Sequence, residues 1–119
     1  MGINILNNYF CKVNDIEKKW EDLLSRLQEE LDDEINLKGV LYLIGVQELN
    51  QDIRAYSKEE KINLMHIAVC KLLSPFGYFE FEKIDADGWP HWKELKVVKN
   101  LGVGEQGLLI KNAILTYFN

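Results

Sequence analysis

Between residues 16 and 35 the apolar side chains Ile16, Trp20, Leu23, Leu24, Leu27, Leu31 and Ile35 recur at steps of three and four, which places them on one stripe of a helix. Asn14-Asp15-Ile16-Glu17 has the pattern of an N-cap followed by a glutamate that can reach back to the cap's backbone N–H, so the spacing predicts a helix starting there. Asp22, Arg26 and Glu30 on the opposite face are spaced for i,i+4 pairing. Residues 36–52 predict a second helix whose apolar positions, Leu37, Val40, Leu41, Leu43, Ile44, Val46 and Leu49, cover nearly its whole circumference. Such a helix is expected to be central. Ser57-Lys58-Glu59-Glu60 is a second capping box, and the helix it opens should stop at Ser74-Pro75.

After Pro75 the period falls to two. Phe79, Phe81 and Lys83 alternate with Tyr78, Glu80, Glu82 and Ile84, so a strand over 76–84 is expected, with those two sets on opposite faces. Asp85-Ala86-Asp87-Gly88 is a turn signal, and 92–98 supplies a return strand. Pro90 confines its early part to a sheet edge. Gly102, Gly104 and Gly107 suggest a loop, and 105–118 a final amphipathic helix. The predicted architecture is mainly α (α+β): three N-terminal helices, one antiparallel β-hairpin and one C-terminal helix, in a single layer-packed domain spanning residues 1–119.

Composition supports that picture. With 119 residues, 47% hydrophobic and 28% charged, the chain suits one globular domain and not a disordered, collagenous or rod-like one. The net charge of −5 sits in the first half: residues 1–60 carry 13 acidic and 7 basic side chains, and 61–119 carry 6 and 7. An acidic balance argues against nucleic acid as the main partner, because that affinity comes from neutralising phosphates. Cys11 and Cys70 form no disulfide framework and are expected as reduced thiols. The opening segment lacks a signal-peptide pattern, and the longest run without a charge is too short to span a bilayer. A soluble cytoplasmic protein with no membrane association is expected.

Several constellations could carry chemistry. Gly102-Val103-Gly104-Glu105-Gln106-Gly107 spells a dinucleotide fingerprint, but the second parallel strand and the acidic residue about 20 positions on are missing. No cofactor is expected. His66 and Cys70, four apart on the third helix, share a face and could serve as a nucleophile pair or soft-metal ligands. Their apolar neighbours favour a core cysteine beside a hydrogen-bonded histidine. The run Glu29-Glu30-Leu31-Asp32-Asp33-Glu34 opposes the dipole of the first helix and is expected to be a solvated face. Glu48, in the apolar second helix, needs either exposure or a charged partner.

The densest cluster is the hairpin tip, Asp85-Ala86-Asp87-Gly88-Trp89-Pro90-His91-Trp92. Three roles compete there. The indoles could pack back on the helices while the aspartates shape the turn. Trp89 and Trp92, with Asp87, could be binding residues for a protein partner or a second subunit. Asp85, Asp87 and His91 could join His66, with Cys70 as a nucleophile, in an acid–base set, or the two histidines and two aspartates could ligate a metal. The element order is similar to winged-helix topology, with 85–92 as the wing. The third helix, Asn63-Leu64-Met65-His66-Ile67-Ala68-Val69-Cys70, lacks the Arg, Asn and Gln cluster that reads bases. A small interaction or self-associating protein using 85–92 as its contact surface is the favoured function. A small enzyme or metal-binding protein with a His/Asp site is the alternative.

Overall fold

A computed structural model of the chain describes residues 2–31, 35–51, 54–98 and 103–118. Four helices and one antiparallel hairpin follow in the order α1 (Gly2–Leu31), α2 (Leu37–Leu49), α3 (Lys58–Leu73), β1 (Phe79–Ile84), β2 (Pro90–Glu94) and α4 (Val103–Tyr117), with a 3-10 turn at Ser74–Phe76. The expected layout of three helices, hairpin and helix is therefore present. The contacts divide it into two units, one made of α1 and α4 and the other of everything between them.

α1 does not start at Asn14. It runs for 30 residues from Gly2 and passes through the cap-like tetrapeptide without a break. The apolar period explains this, since Leu6, Tyr9 and Val13 extend the series of Ile16 and Trp20 upstream at the same steps of three and four. An Asn or Asp inside a helix costs only about 0.7 kcal/mol, too little to interrupt a continuous apolar stripe. In this unit Trp20, Leu23 and Leu27 of α1 and Ala113 and Ile114 of α4 are buried. Lys111 of α4 ties the pair, its Nζ 3.0 Å from both carboxylate oxygens of Glu17 and 5.9 Å from the Trp20 ring centre. Gly104 and Gly107 lie within α4 and not in a loop, so two of the three fingerprint glycines are helical. Gly102, Asp32, Asp33, Glu34 and the thiol of Cys11 fall outside the described residues and side chains.

In the second unit α2 and α3 pack with their backbones nearly touching. A Cβ on Gly45 would lie 2.0 Å from the carbonyl oxygen of Leu64, so only glycine permits the approach. Asn36 caps α2 by accepting from Gly39 N–H at 2.9 Å. The buried stripe of α2 is Val40, Ile44, Gly45 and Leu49, while Leu37, Leu41, Leu43 and Val46 are half-buried. Apolar positions all round have thus produced one sealed stripe with half-covered flanks. Glu48, half-buried, faces Lys71 of α3 at 3.6 Å. The Ser57 capping box of α3 forms in both directions, with Glu60 N–H donating to Ser57 Oγ and Ser57 N–H to Glu60 Oε1. Arg54 adds a 2.6 Å ion pair to the same carboxylate. Together these donors hold the Glu60 carboxyl down at about 2.

The hairpin is shorter than its sequence pattern. The 3-10 turn and the left-handed Gly77 (φ 84°) take up residues expected in the first strand, which begins at Phe79. On the far side, Leu95 N–H and Lys96 N–H both donate to the carbonyl of Tyr78, at 2.8 and 3.3 Å, and β2 has already ended at Glu94.

Candidate functional site

The register of the hairpin decides which side chains it displays. Phe79 pairs with Glu94, Glu80 with Lys93 and Phe81 with Trp92, but beyond a bulge Lys83 pairs with His91 and Ile84 with Pro90. Glu82 is the extra residue. Cross-strand partners share a face, so the bulge reverses the expected alternation. Lys83 joins Glu80, His91 and Lys93 on one face, and Ile84 joins Phe79, Phe81, Pro90, Trp92 and Glu94 on the other.

That second face divides along its length. At its base Phe79 is buried and stands edge-on to the His66 ring of α3 at 6.2 Å. Further out, Phe81 and Trp92 meet edge-to-face with centroids 5.5 Å apart, Phe81 keeps 49% of its surface exposed, and Ile84 keeps 63%. Trp92 is half-buried, and its indole N–H is shut off from solvent without an acceptor.

The tip is a self-bracing turn built on Asp85. Its N–H donates to the carbonyl of Trp89 at 2.9 Å, and its own carbonyl accepts from Gly88 N–H at 3.0 Å. One carboxylate oxygen accepts from the amides of Asp87 and Trp89, at 2.9 and 3.0 Å, and the other lies 2.8 Å from His91 Nε2. The His91 hydrogen bond first, and the Trp89 amide second, hold the Asp85 carboxyl below its usual range. Gly88 takes the left-handed conformation the turn requires (φ 86°). Gln51 Nε2 donates to the carbonyl of Asp87 at 2.8 Å and anchors the tip to the segment after α2. Asp87 contributes its backbone N–H and carbonyl to two of these contacts, and it lies on the exposed surface.

Trp89 and Trp92 have different surroundings. Trp89 packs against the buried cluster of Leu49, Tyr56, Leu64 and Ile67, so it fixes the tip to the helices. Trp92 packs on the half-open Phe81. The aromatic surface available to another molecule is therefore centred on Phe81, Trp92 and Ile84, and sequence reasoning missed Phe81 and Ile84. A signal for them was present: the apolar spacing from Phe81 to Ile84 is three in a strand of period two, as a bulge demands.

The remaining candidates form two separate pairs. His66 is exposed and its Nε2 lies 3.5 Å from the Sγ of buried Cys70. Burial, and next the charge of Glu94, push that thiol up to about 11, leaving it a neutral side chain rather than a thiolate. His91 projects from the hairpin face opposite to Phe79, the residue His66 touches, so the strand alternation separates the two imidazoles. Among the described residues no three His, Cys, Asp or Glu side chains converge as metal ligands. Also among them, no helix is long and apolar enough to cross a membrane.

Comparison with known proteins gives no relative to argue from: no family model, no curated protein and no solved structure matches this chain.

Proposed function

We propose that this chain is a protein-interaction module whose docking surface is the outer hairpin face, with Phe81, Trp92 and Ile84 as anchors. The observation that carries this is the exposure of Phe81 and Ile84 on one face, where a single bulge has brought Ile84 to the side of Phe81 and Trp92. Aromatic side chains supply large contact area at low entropy cost and are enriched among residues that dominate binding energy. The braced tip suits that role, because Asp85, Gly88, Gln51 and Trp89 keep the surface in one shape before a partner arrives. The occupant that fits is an apolar segment of another protein, since the flanking Glu80, Glu82, Lys83, Lys93 and Glu94 nearly balance in charge. A soluble, cytoplasmic setting belongs to the same proposal.

The alternative, acid–base chemistry at the tip, has the Asp85–His91 contact in its favour. Both oxygens of Asp85 already hold the turn and the imidazole, and among the described residues no third His, Cys, Asp or Glu joins them as a metal ligand would.

A photo-cross-linker placed at position 84, in cells that make the protein, tests the proposal. Position 62 is the control, because Ile62 is an equally apolar side chain, 58% exposed, on α3 and not on the hairpin. Adducts with one other protein from position 84, lost when Phe81→Ser is added, support it. Equal adducts from both positions, or adducts indifferent to Phe81→Ser, contradict it.

A further inference from the structure

We infer that the groove between α1 and α4 seats a second copy of this chain, docked about a two-fold axis that passes between the two α1 helices at the level of Trp20 and Glu21. The groove has a volume of about 590 Å³ and is lined along α1 by Asp15, Lys19, Asp22 and Arg26, with Leu115 contributed by α4 and Phe118 by the turn that follows it. Steps of four, three and four hold the four charged residues on one stripe, where they alternate acid, base, acid, base.

The alternation is self-complementary. In an antiparallel pair of α1 helices the midpoint of Asp15 and Arg26 coincides with that of Lys19 and Asp22, between residues 20 and 21. One two-fold axis at that level therefore sets Asp15 against Arg26 of the second copy and Lys19 against its Asp22, each pair occurring twice. A slip of one turn in one direction opposes Lys19 to Arg26, and in the other Asp15 to Asp22, so the charges select the register as well as the partner. An interface between identical surfaces must have this symmetry.

The groups are available for it. Within the chain Asp15 and Lys19 form only an exposed i,i+4 pair at 3.0 Å, with side chains about 60% open, and such pairs contribute little. Among the described residues neither Asp22 nor Arg26 takes part in an ion pair. Ile16, Leu115 and Phe118 on the groove are half-buried and would be covered. Geometry adds a second reason: α1 is about 45 Å long and α4 about 22 Å, so one α4 can cover only part of the α1 stripe. Two such helix pairs make a four-helix arrangement with an enclosed core.

Sedimentation equilibrium of the full chain tests this apart from the hairpin proposal. The wild type is expected at twice the chain mass. Arg26→Asp sets two acids against each other at both ends and should weaken association by more than about tenfold. Adding Asp15→Arg exchanges the two charges and should restore the dimer, with helix content by circular dichroism unchanged throughout. Phe81→Ser should leave the mass unchanged. A monomer at every concentration, an Arg26→Asp loss that Asp15→Arg does not rescue, or a dimer dissociated by Phe81→Ser alone would each overturn the inference.

Discussion

The α2–α3 pair and the hairpin put their apolar side chains to opposite ends. Along α3, Leu64, Ile67, Ala68, Cys70, Leu72 and Leu73 are buried, and the contact with α2 is so close that a methyl group at Gly45 would collide with a carbonyl. The hairpin buries Phe79 fully and Trp89 and Trp92 in part, leaving Phe81 and Ile84 about half open or more. Stability should therefore reside in the helix pair, and under the proposed function recognition belongs to the hairpin.

The largest effect expected is from Gly45→Ala. The Leu64 carbonyl carbon and oxygen cannot rotate away as a side chain would, so α2 must move off α3 at a cost of about 3 kcal/mol or more. A fall in the urea midpoint is the check. The same substitution at Gly107 should have the opposite sign, because a Cβ there meets nothing within 4 Å, and a helical Gly→Ala change gains about 0.5–1 kcal/mol. Equal effects at the two sites would mean that helix propensity, and not backbone contact, controls the α2–α3 pair.

Next in size is Tyr56→Phe. The Tyr56 hydroxyl is buried without a partner, while its ring packs in the Leu49–Leu64 cluster under Arg54, 4.4 Å from the centroid. Removing an orphaned hydroxyl and keeping the ring should raise stability by about 1 kcal/mol, read as a higher thermal midpoint. Phe81→Ser and Ile84→Ser should change stability less, each by under about 1 kcal/mol, since about half or more of each side chain already faces water. Destabilisation matching that of a buried leucine would show that the hairpin face belongs to the core.

The smallest effect is a pH dependence at the start of α3. Because Glu60 is held at about 2, below its usual 4.5, the stability it contributes is present above about pH 4.5 and is lost as pH falls toward 2. Glu60→Gln should flatten that part of a stability-against-pH curve and leave the neutral region with the same slope.

The sequence made the helices and the hairpin legible through period and capping. Ser57 and Glu60 were readable because both halves of a capping box are local, and Asp85 as a turn former for the same reason. Asn14-Asp15-Ile16-Glu17 misled, since a cap pattern has meaning only where the upstream chain leaves the helix, and here the apolar stripe continues. The tip was correctly marked as dense in aromatics, yet proximity in sequence could not say that Trp89 turns inward while Trp92 meets Phe81. The bulge at Glu82 decided which face each residue took, and a single extra residue alters the placement of everything beyond it. Alternating charges on α1 were visible as helix-surface pairs, but their meaning as a self-complementary stripe depends on the groove beside them.

The central claim, that the outer hairpin face is a binding surface and not part of the fold's support, is tested most directly by titration calorimetry. The protein cross-linked through position 84 is titrated into wild type and into Phe81→Ser, with the urea midpoint of each variant measured alongside. The account predicts at least about a tenfold loss of affinity in Phe81→Ser with a midpoint close to that of wild type. Unchanged affinity, or an affinity loss that merely tracks a fall in the midpoint, would contradict it.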